Sequence, residues 1–216
     1  MRSKNQPSGR KSDGGQGDRS FIEQARRAQI IAAAIGAIAE LGFAGASLAR
    51  IAERAGISKG VISYHFAGKD ELMEQVVERI YTDAAEHTAP LVAEQATVAA
   101  SVRAHILGAA EYMRGHRDQL IALGEIFNNL RTPDGKPRFG AHSSEPLYQA
   151  LEALYRAGQA SGEFRAFDTR VMAVTHQAAV DTMFGYWTAY PEHDLEAHAR
   201  QLADLLLNGV RAPGAD

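Results

Sequence analysis

Lys59, Gly60, Val61 and Ser63 stand close together in the run Ser58-Lys-Gly-Val-Ile-Ser-Tyr-His-Phe66, and as a set they can read base-pair edges. An ammonium can donate to guanine O6 and N7, an isopropyl group can meet a thymine methyl, and a hydroxyl can bond several edges. A glycine between them lets the backbone come close. Ser47, Tyr64, His65 and Lys69 flank this run and carry donors suited to phosphate oxygens. The chemistry on offer is therefore base readout inside a ring of phosphate anchors.

Such side chains work only on a rigid support, and the neighbouring residues describe one. Two short helices are expected over residues 48–55 and 59–65, with Ser47 and Ser58 as N-caps. Ala52 is small where two backbones would approach. Gly56, four residues on, accepts a positive φ in the turn, and Ile62 follows six residues later. Leu48, Ile51, Ile57, Ile62 and Phe66 would hold the pair against a third helix. This is the spacing of a helix-turn-helix, although an αα-corner in an ordinary bundle uses the same spacing. The third helix is expected from Phe21, with Ile31, Ile35 and Ile38 on one face and Gly42 closing it. Beyond the pair, a longer helix should open near Lys69 with Asp70 and Glu71 in its first turn. Gly68 before it offers no capping side chain and leaves amides free for phosphate. Pro90 should end or kink that helix.

Composition narrows the classes. The chain has 216 residues, 45% of them hydrophobic and 23% charged, an ordinary globular balance. It has no cysteine, which excludes disulfides and thiolate metal sites and suits a cytoplasmic setting. No apolar run is expected to reach the ~20 residues of a membrane span, and no signal peptide is read. Net charge is −3 overall but +3 over residues 1–20, zero over 21–80 and −6 over 81–216. Positive charge thus gathers at the end that carries the base-reading set. Residues 1–20 are polar and Gly-rich, so they are expected as a disordered basic tail, either touching DNA or merely solubilising.

The continuous stretch Gly56-Ile-Ser-Lys-Gly-Val-Ile-Ser-Tyr-His-Phe-Ala-Gly-Lys-Asp-Glu-Leu72, within residues 22–75, resembles the N-terminal domain of TetR-family transcriptional regulators. The resemblance implies a dimer on a palindromic operator in double-stranded DNA, usual action as a repressor, and an unknown small-molecule inducer held by a divergent C-terminal domain. By position it places Lys59, Gly60, Val61 and Ser63 at bases, and Ser47, Tyr64, His65 and Lys69 at phosphates. Members often carry an aromatic where Ser63 stands and a polar residue where Val61 stands, so the operator sequence does not follow.

The expected architecture is all-α. A disordered tail covers residues 1–20, a helix-turn-helix domain 21–67, a helical regulatory and dimerisation domain 68–211, and a flexible end 212–216. Further helices are expected near 97–116, 118–131, 144–161, 168–190 and 193–211, with Asp168 as an N-cap. Tyr112, Phe127, Tyr148, Met172, His176, Met183 and Trp187 are the candidates for an inducer pocket, each also readable as plain core. Asn128, Asn129 and Arg131 could meet a polar ligand, but capping a helix end suits them better. His193 and His198 are five apart, and His105 and His116 eleven apart. Neither pair has the i, i+4 spacing that aims two imidazoles at one ion, so no metal or other cofactor is expected. Apolar positions on the last two helices suit a four-helix interface between two copies, or packing within one. A helical enzyme would need a converging acid–base or metal set, and none is visible. A helical interaction module with a vestigial helix-turn-helix would have no use for Lys59, Tyr64 and Lys69 together.

Overall fold

The computed structural model describes residues 14–213, and all regular structure among them is helical apart from two isolated bridges. The helices are α1 (Gly14–Gly45), α2 (Leu48–Ala55), α3 (Lys59–His65), α4 (Lys69–Ala93), α5 (Val98–Arg114), α6 (Arg117–Asn129), α7 (Glu145–Ser161), α8 (Thr169–Ala189) and α9 (Leu195–Val210). The expected spans for α2 and α3 coincide with these, and the later helices agree within three residues.

Three boundaries differ from expectation. α1 starts at Gly14, so residues 14–20 are helical instead of belonging to a disordered tail. Extending a helix that already exists costs far less than nucleating one, so polar residues can be carried along. The rest of the expected tail, residues 1–13, lies outside the described residues, as do 214–216. α4 passes through Pro90 and stops one turn later at Ala93. Finally, Ala212, expected in a flexible end, donates its N–H to the Glu163 carbonyl at 3.0 Å.

Against the expectation that no apolar run approaches the length of a membrane span, α1 meets the test by length and composition alone: Phe21–Gly45 holds an 18-residue window with a mean hydropathy of 1.6. Its Ala and Ile content raises the score, but Ile30, Ala34, Ala37 and Ile38 are buried in the protein core. The helix breaks at Gly42, which takes φ 69° and ψ 171°, a conformation L side chains resist.

α1, α2 and α3 form the small N-terminal unit, and α4 leads from it into the bundle of α5–α9. One apolar core runs through both parts, from Ile38, Ile51 and Ile62 through Leu72 and Ile80 to Ile106, Ile126 and Met183. The α7–α8 turn is tied into the bundle by Glu163. Its carboxylate accepts the N–H groups of Val98 and Ala99 at 3.0 and 2.9 Å, capping α5 from a distant part of the chain.

Candidate nucleic-acid interface and apolar cavity

The turn between α2 and α3 is built from local chemistry. Ser47 Oγ accepts the Arg50 N–H at 3.3 Å, capping α2. Gly56 closes α2 in the left-handed region at φ 65°, and the Ile57 N–H bonds the Ala52 carbonyl at 3.0 Å. Ile51, Ala52, Ile62 and Phe66 are buried beneath the pair, while Leu48 and Ile57 pack against that core half-buried. Gln29 on α1 donates to the Ala55 carbonyl at 2.8 Å, and Glu40 pairs with Arg54 at 2.6 Å. Gly36 is small where the Arg54 guanidinium crosses α1; a Cβ there would lie 2.6 Å from Arg54 Nε.

α3 is held from its C-terminal end by Arg27. This guanidinium donates to the His65 carbonyl, reaches Gln75 Oε1 at 3.2 Å and lies 4.3 Å from the centroid of the Phe66 ring. A cation on the last turn of a helix also suits its dipole. With its inner face fixed, α3 leaves Lys59, Gly60, Ser63 and Tyr64 exposed and Val61 half-buried. Ser63 Oγ donates back to the Lys59 carbonyl at 3.3 Å, a weak bond a better acceptor can replace. The Lys59 ammonium makes no ion pair or hydrogen bond among the described residues.

The residues expected at phosphates share one rim but differ in freedom. Ser47 is exposed, Tyr64 is 73% exposed, and His65 is half-buried with its ring edge against Tyr64. Lys69 is already engaged: its ammonium donates to the Phe43 carbonyl and sits 4.2 Å from the Phe43 ring centroid. Partial burial lowers its pKa, against the opposing charge of Asp70. Lys69 therefore fastens α4 to the end of α1, a role the sequence reading missed. Glu71 bonds the Ala67 N–H at 2.6 Å, and Gly68 leaves the start of α4 without a side-chain cap.

The C-terminal bundle holds a half-open cavity of about 440 Å³. Its wall comes from α4, α5, α6, α7 and α8, with Leu123, Leu154, Val180 and Phe184 among the larger apolar groups. None of the seven residues expected at a pocket lines it. Tyr112 stacks on His116 at 4.2 Å, Phe127 on Phe139 at 5.2 Å, and Tyr148 lies under Arg170 at 5.3 Å. Met183 and Trp187 are buried core, and Met172 lines a separate shallow groove beside Leu205. His176 is fully buried behind the wall. The physical reason is volume: large side chains fill space, whereas the cavity opens where Ala84, Ala85, Ala89 and Ala109 leave it empty. On α8 the lining falls to Gln177, Val180, Asp181 and Phe184, a helical stripe next to the expected one.

A buried hydrogen-bond chain backs this wall. The Tyr155 hydroxyl is 3.0 Å from His176 Nδ1, and His176 Nε2 is 3.2 Å from His105 Nδ1. Tyr155 is fully buried with no other partner for its proton among the described residues, so the hydroxyl donates to His176. His176 then donates to His105, which keeps its remaining proton on Nε2, the nitrogen left for the cavity. Burial pushes His105 down to about 4, and burial reinforced by His105 pushes His176 down to about 3.

Other expected polar candidates resolve into structure. Arg131 donates to the carbonyls of Asn128 and Leu130, and Asn129 to that of Glu125, closing the end of α6. His193 Nε2 and His198 Nδ1 meet at 2.9 Å despite their five-residue spacing, because His193 precedes α9 instead of lying on it. Among the described residues no three His, Asp or Glu side chains gather as a metal site would require.

A family model described as "Bacterial regulatory proteins, tetR family" matches residues 30–76, from mid-α1 into α4. A relative named HTH-type transcriptional regulator BetI 2, from Chromohalobacter salexigens, is 44% identical over 85 residues, covering 39% of this chain and 40% of the relative. Across the first three relatives the chain spans only 40%, 31% and 32% of their lengths. HTH-type transcriptional regulator BetI from Paraburkholderia xenovorans is 29% identical over 187 residues, covering 74% of this chain and 94% of that one. Among solved structures, the transcriptional regulator FadR from Bacillus subtilis in complex with stearoyl-CoA shares the fold, with a TM-score of 0.75 and 22% identity. That likeness covers 85% of this chain and 98% of FadR.

Proposed function

We propose that the chain is a regulator of the TetR family, a cytoplasmic repressor that binds a palindromic operator as a homodimer and is released by a small molecule. The observation that carries this reading is the contrast within α3. Its inner face is locked by Ile62, Phe66 and Arg27, and its outer face presents Lys59, Gly60 and Ser63 to solvent, with only the weak Ser63–Lys59 bond to displace. A rigid helix with an uncommitted donor surface is what entry into a major groove requires. Lys59, Gly60, Val61 and Ser63 take the base edges, while Ser47, Tyr64, His65 and the amides at the start of α4 take phosphates.

The dimer is supported by an uncharged stripe on α8. Val171, Val174, Ala178, Thr182 and Tyr186 are exposed along one side of that helix, and Leu205 on α9 is 70% exposed beside it. An unpartnered apolar stripe on two adjacent helices suits a four-helix interface with a second copy. Release by a ligand is supported by the half-open cavity, whose walls include α4, the helix that follows α3, and α6, which packs on α1. A molecule filling it would bear on both supports of the DNA-binding unit.

The test is fluorescence anisotropy with DNA from upstream of the protein's own gene against scrambled duplex, at two salt concentrations. A repressor of this kind binds the upstream DNA at least ~10³-fold more tightly than scrambled sequence. Equal affinity for both would leave only nonspecific phosphate attraction and overturn the reading.

A further inference from the structure

The cavity wall has an uneven polarity. Five of its residues carry polar side-chain groups: Tyr81, Thr88, His105, Gln177 and Asp181. The Thr88 hydroxyl is used on the Ala84 carbonyl at 2.8 Å. Gln177 Nε2 donates to Asp181 Oδ1 at 2.7 Å, which leaves Oδ2 without a protein partner among the described residues. Neither lysine nor arginine lines the cavity, and Asp181 joins no ion pair among the described residues. The one further ionisable nitrogen, on His105, is kept neutral at ordinary pH by its burial. The wall therefore carries a single acidic group and nothing to balance it.

The consequences for a guest differ by charge. An anion entering this space would give up part of its water and meet no positive group, an uncompensated loss unless it takes up a proton. A neutral apolar guest gains burial alone. A guest with a cationic nitrogen gains burial and a charge-assisted bond to the free carboxylate oxygen. The Tyr81 ring stands close by: its phenol is pushed up to about 12, by burial first and then by the nearby Asp181 charge. A phenol that stays neutral can offer its face to a cation. Asp181 is itself solvent-exposed and so stands at the cavity's open side; desolvation by the neighbouring wall still raises its carboxyl pKa, with Gln177 opposing, and a cation beside it offsets that.

We infer that the cavity selects a lipophilic amine, a largely apolar molecule with one cationic nitrogen seated against Asp181. This rests on the reading of the cavity as the effector pocket and names the chemistry of its ligand.

The test uses four probes with the same alkyl chain: decylamine, decyltrimethylammonium, decanoate and 1-decanol. Each is titrated below its micelle concentration into the full-length protein by calorimetry. The expected result is that the two cations bind at least tenfold more tightly than decanol, with decanoate weakest. Asp181→Asn should bring the cations down to the level of decanol while leaving decanol itself unchanged, and Asp181→Glu should keep most of the preference. Thermal melting of the ligand-free variants checks that they fold. If decanol binds and the cations gain nothing, or Asp181→Asn weakens all four probes alike, the amine assignment is overturned and the pocket reading stands. If no probe binds, or Ala109→Phe, which fills the cavity, leaves binding intact, both are overturned.

Discussion

Glu125 on α6 accepts the backbone N–H of Phe43 at 2.8 Å, one residue past the break in α1 at Gly42. The carbonyl of the same Phe43 is taken by Lys69 at the start of α4. One peptide segment is thus gripped on both sides, by the bundle through α6 and by the helix that follows α3. The end of α1 is where the two parts of the molecule are fastened.

Glu125→Ala should lower stability by about 1–3 kcal/mol, the cost of leaving a half-buried amide without its charged acceptor. Urea unfolding measures it. Glu125→Gln retains an acceptor oxygen and should recover more than half of the loss. An unchanged midpoint for Glu125→Ala would show that the fastening is idle.

Lys69 and Lys59 should separate in their effects, because one is anchored and the other is free. Lys69→Ala removes a carbonyl bond and a cation–ring contact, so it should cost about 1–2 kcal/mol of stability. It should also weaken operator and scrambled DNA equally. Lys59→Ala should leave the melting temperature within a degree or two, cost about 1–3 kcal/mol on operator, and relax preference at one base pair per half-site. Equal losses on both DNAs for Lys59→Ala would make that residue another phosphate anchor.

The two buried histidines give the protein a pH dependence whose sign can be worked out. Unfolded, each imidazole binds a proton near its ordinary value of 6.5; folded, His105 waits until about 4 and His176 until about 3. Between those limits the unfolded chain holds more protons, so stability rises with pH. The contribution is complete above pH 6.5 and is lost as pH falls through about 4. Melting temperatures from pH 7 to pH 4 should therefore fall less steeply for His176→Gln than for the wild type. A parallel fall in both would mean His176 protonates in the folded state as easily as in the unfolded one.

A charge placed on the exposed stripe should break the dimer without harming the fold. Val171 is 62% and Leu205 70% exposed, so Val171→Glu with Leu205→Glu costs little within one subunit. Light scattering should show a monomer at micromolar concentration, with unchanged helix content and operator affinity reduced at least tenfold. A persistent dimer would place the interface elsewhere.

Read by itself, the sequence determined the helix-turn-helix down to its boundaries. The reason is that its signals are local. Ser47 caps, Gly56 takes the left-handed turn, and Ile51, Ile62 and Phe66 recur at helical spacing, so each piece is legible within a few residues of the chain. Which outward side chains stayed free was a tertiary matter. Lys59 and Lys69 are the same residue type ten positions apart, and only the approach of Phe43 from α1 decides that one of them is occupied. The cavity was less legible still. Its lining combines Tyr81, His105, Leu154 and Asp181 from four separate helices, and its space comes from alanines that carry no signal of their own. A void is a property of how helices meet, so the large residues that stood out in the sequence became its surroundings, and the small ones defined the site.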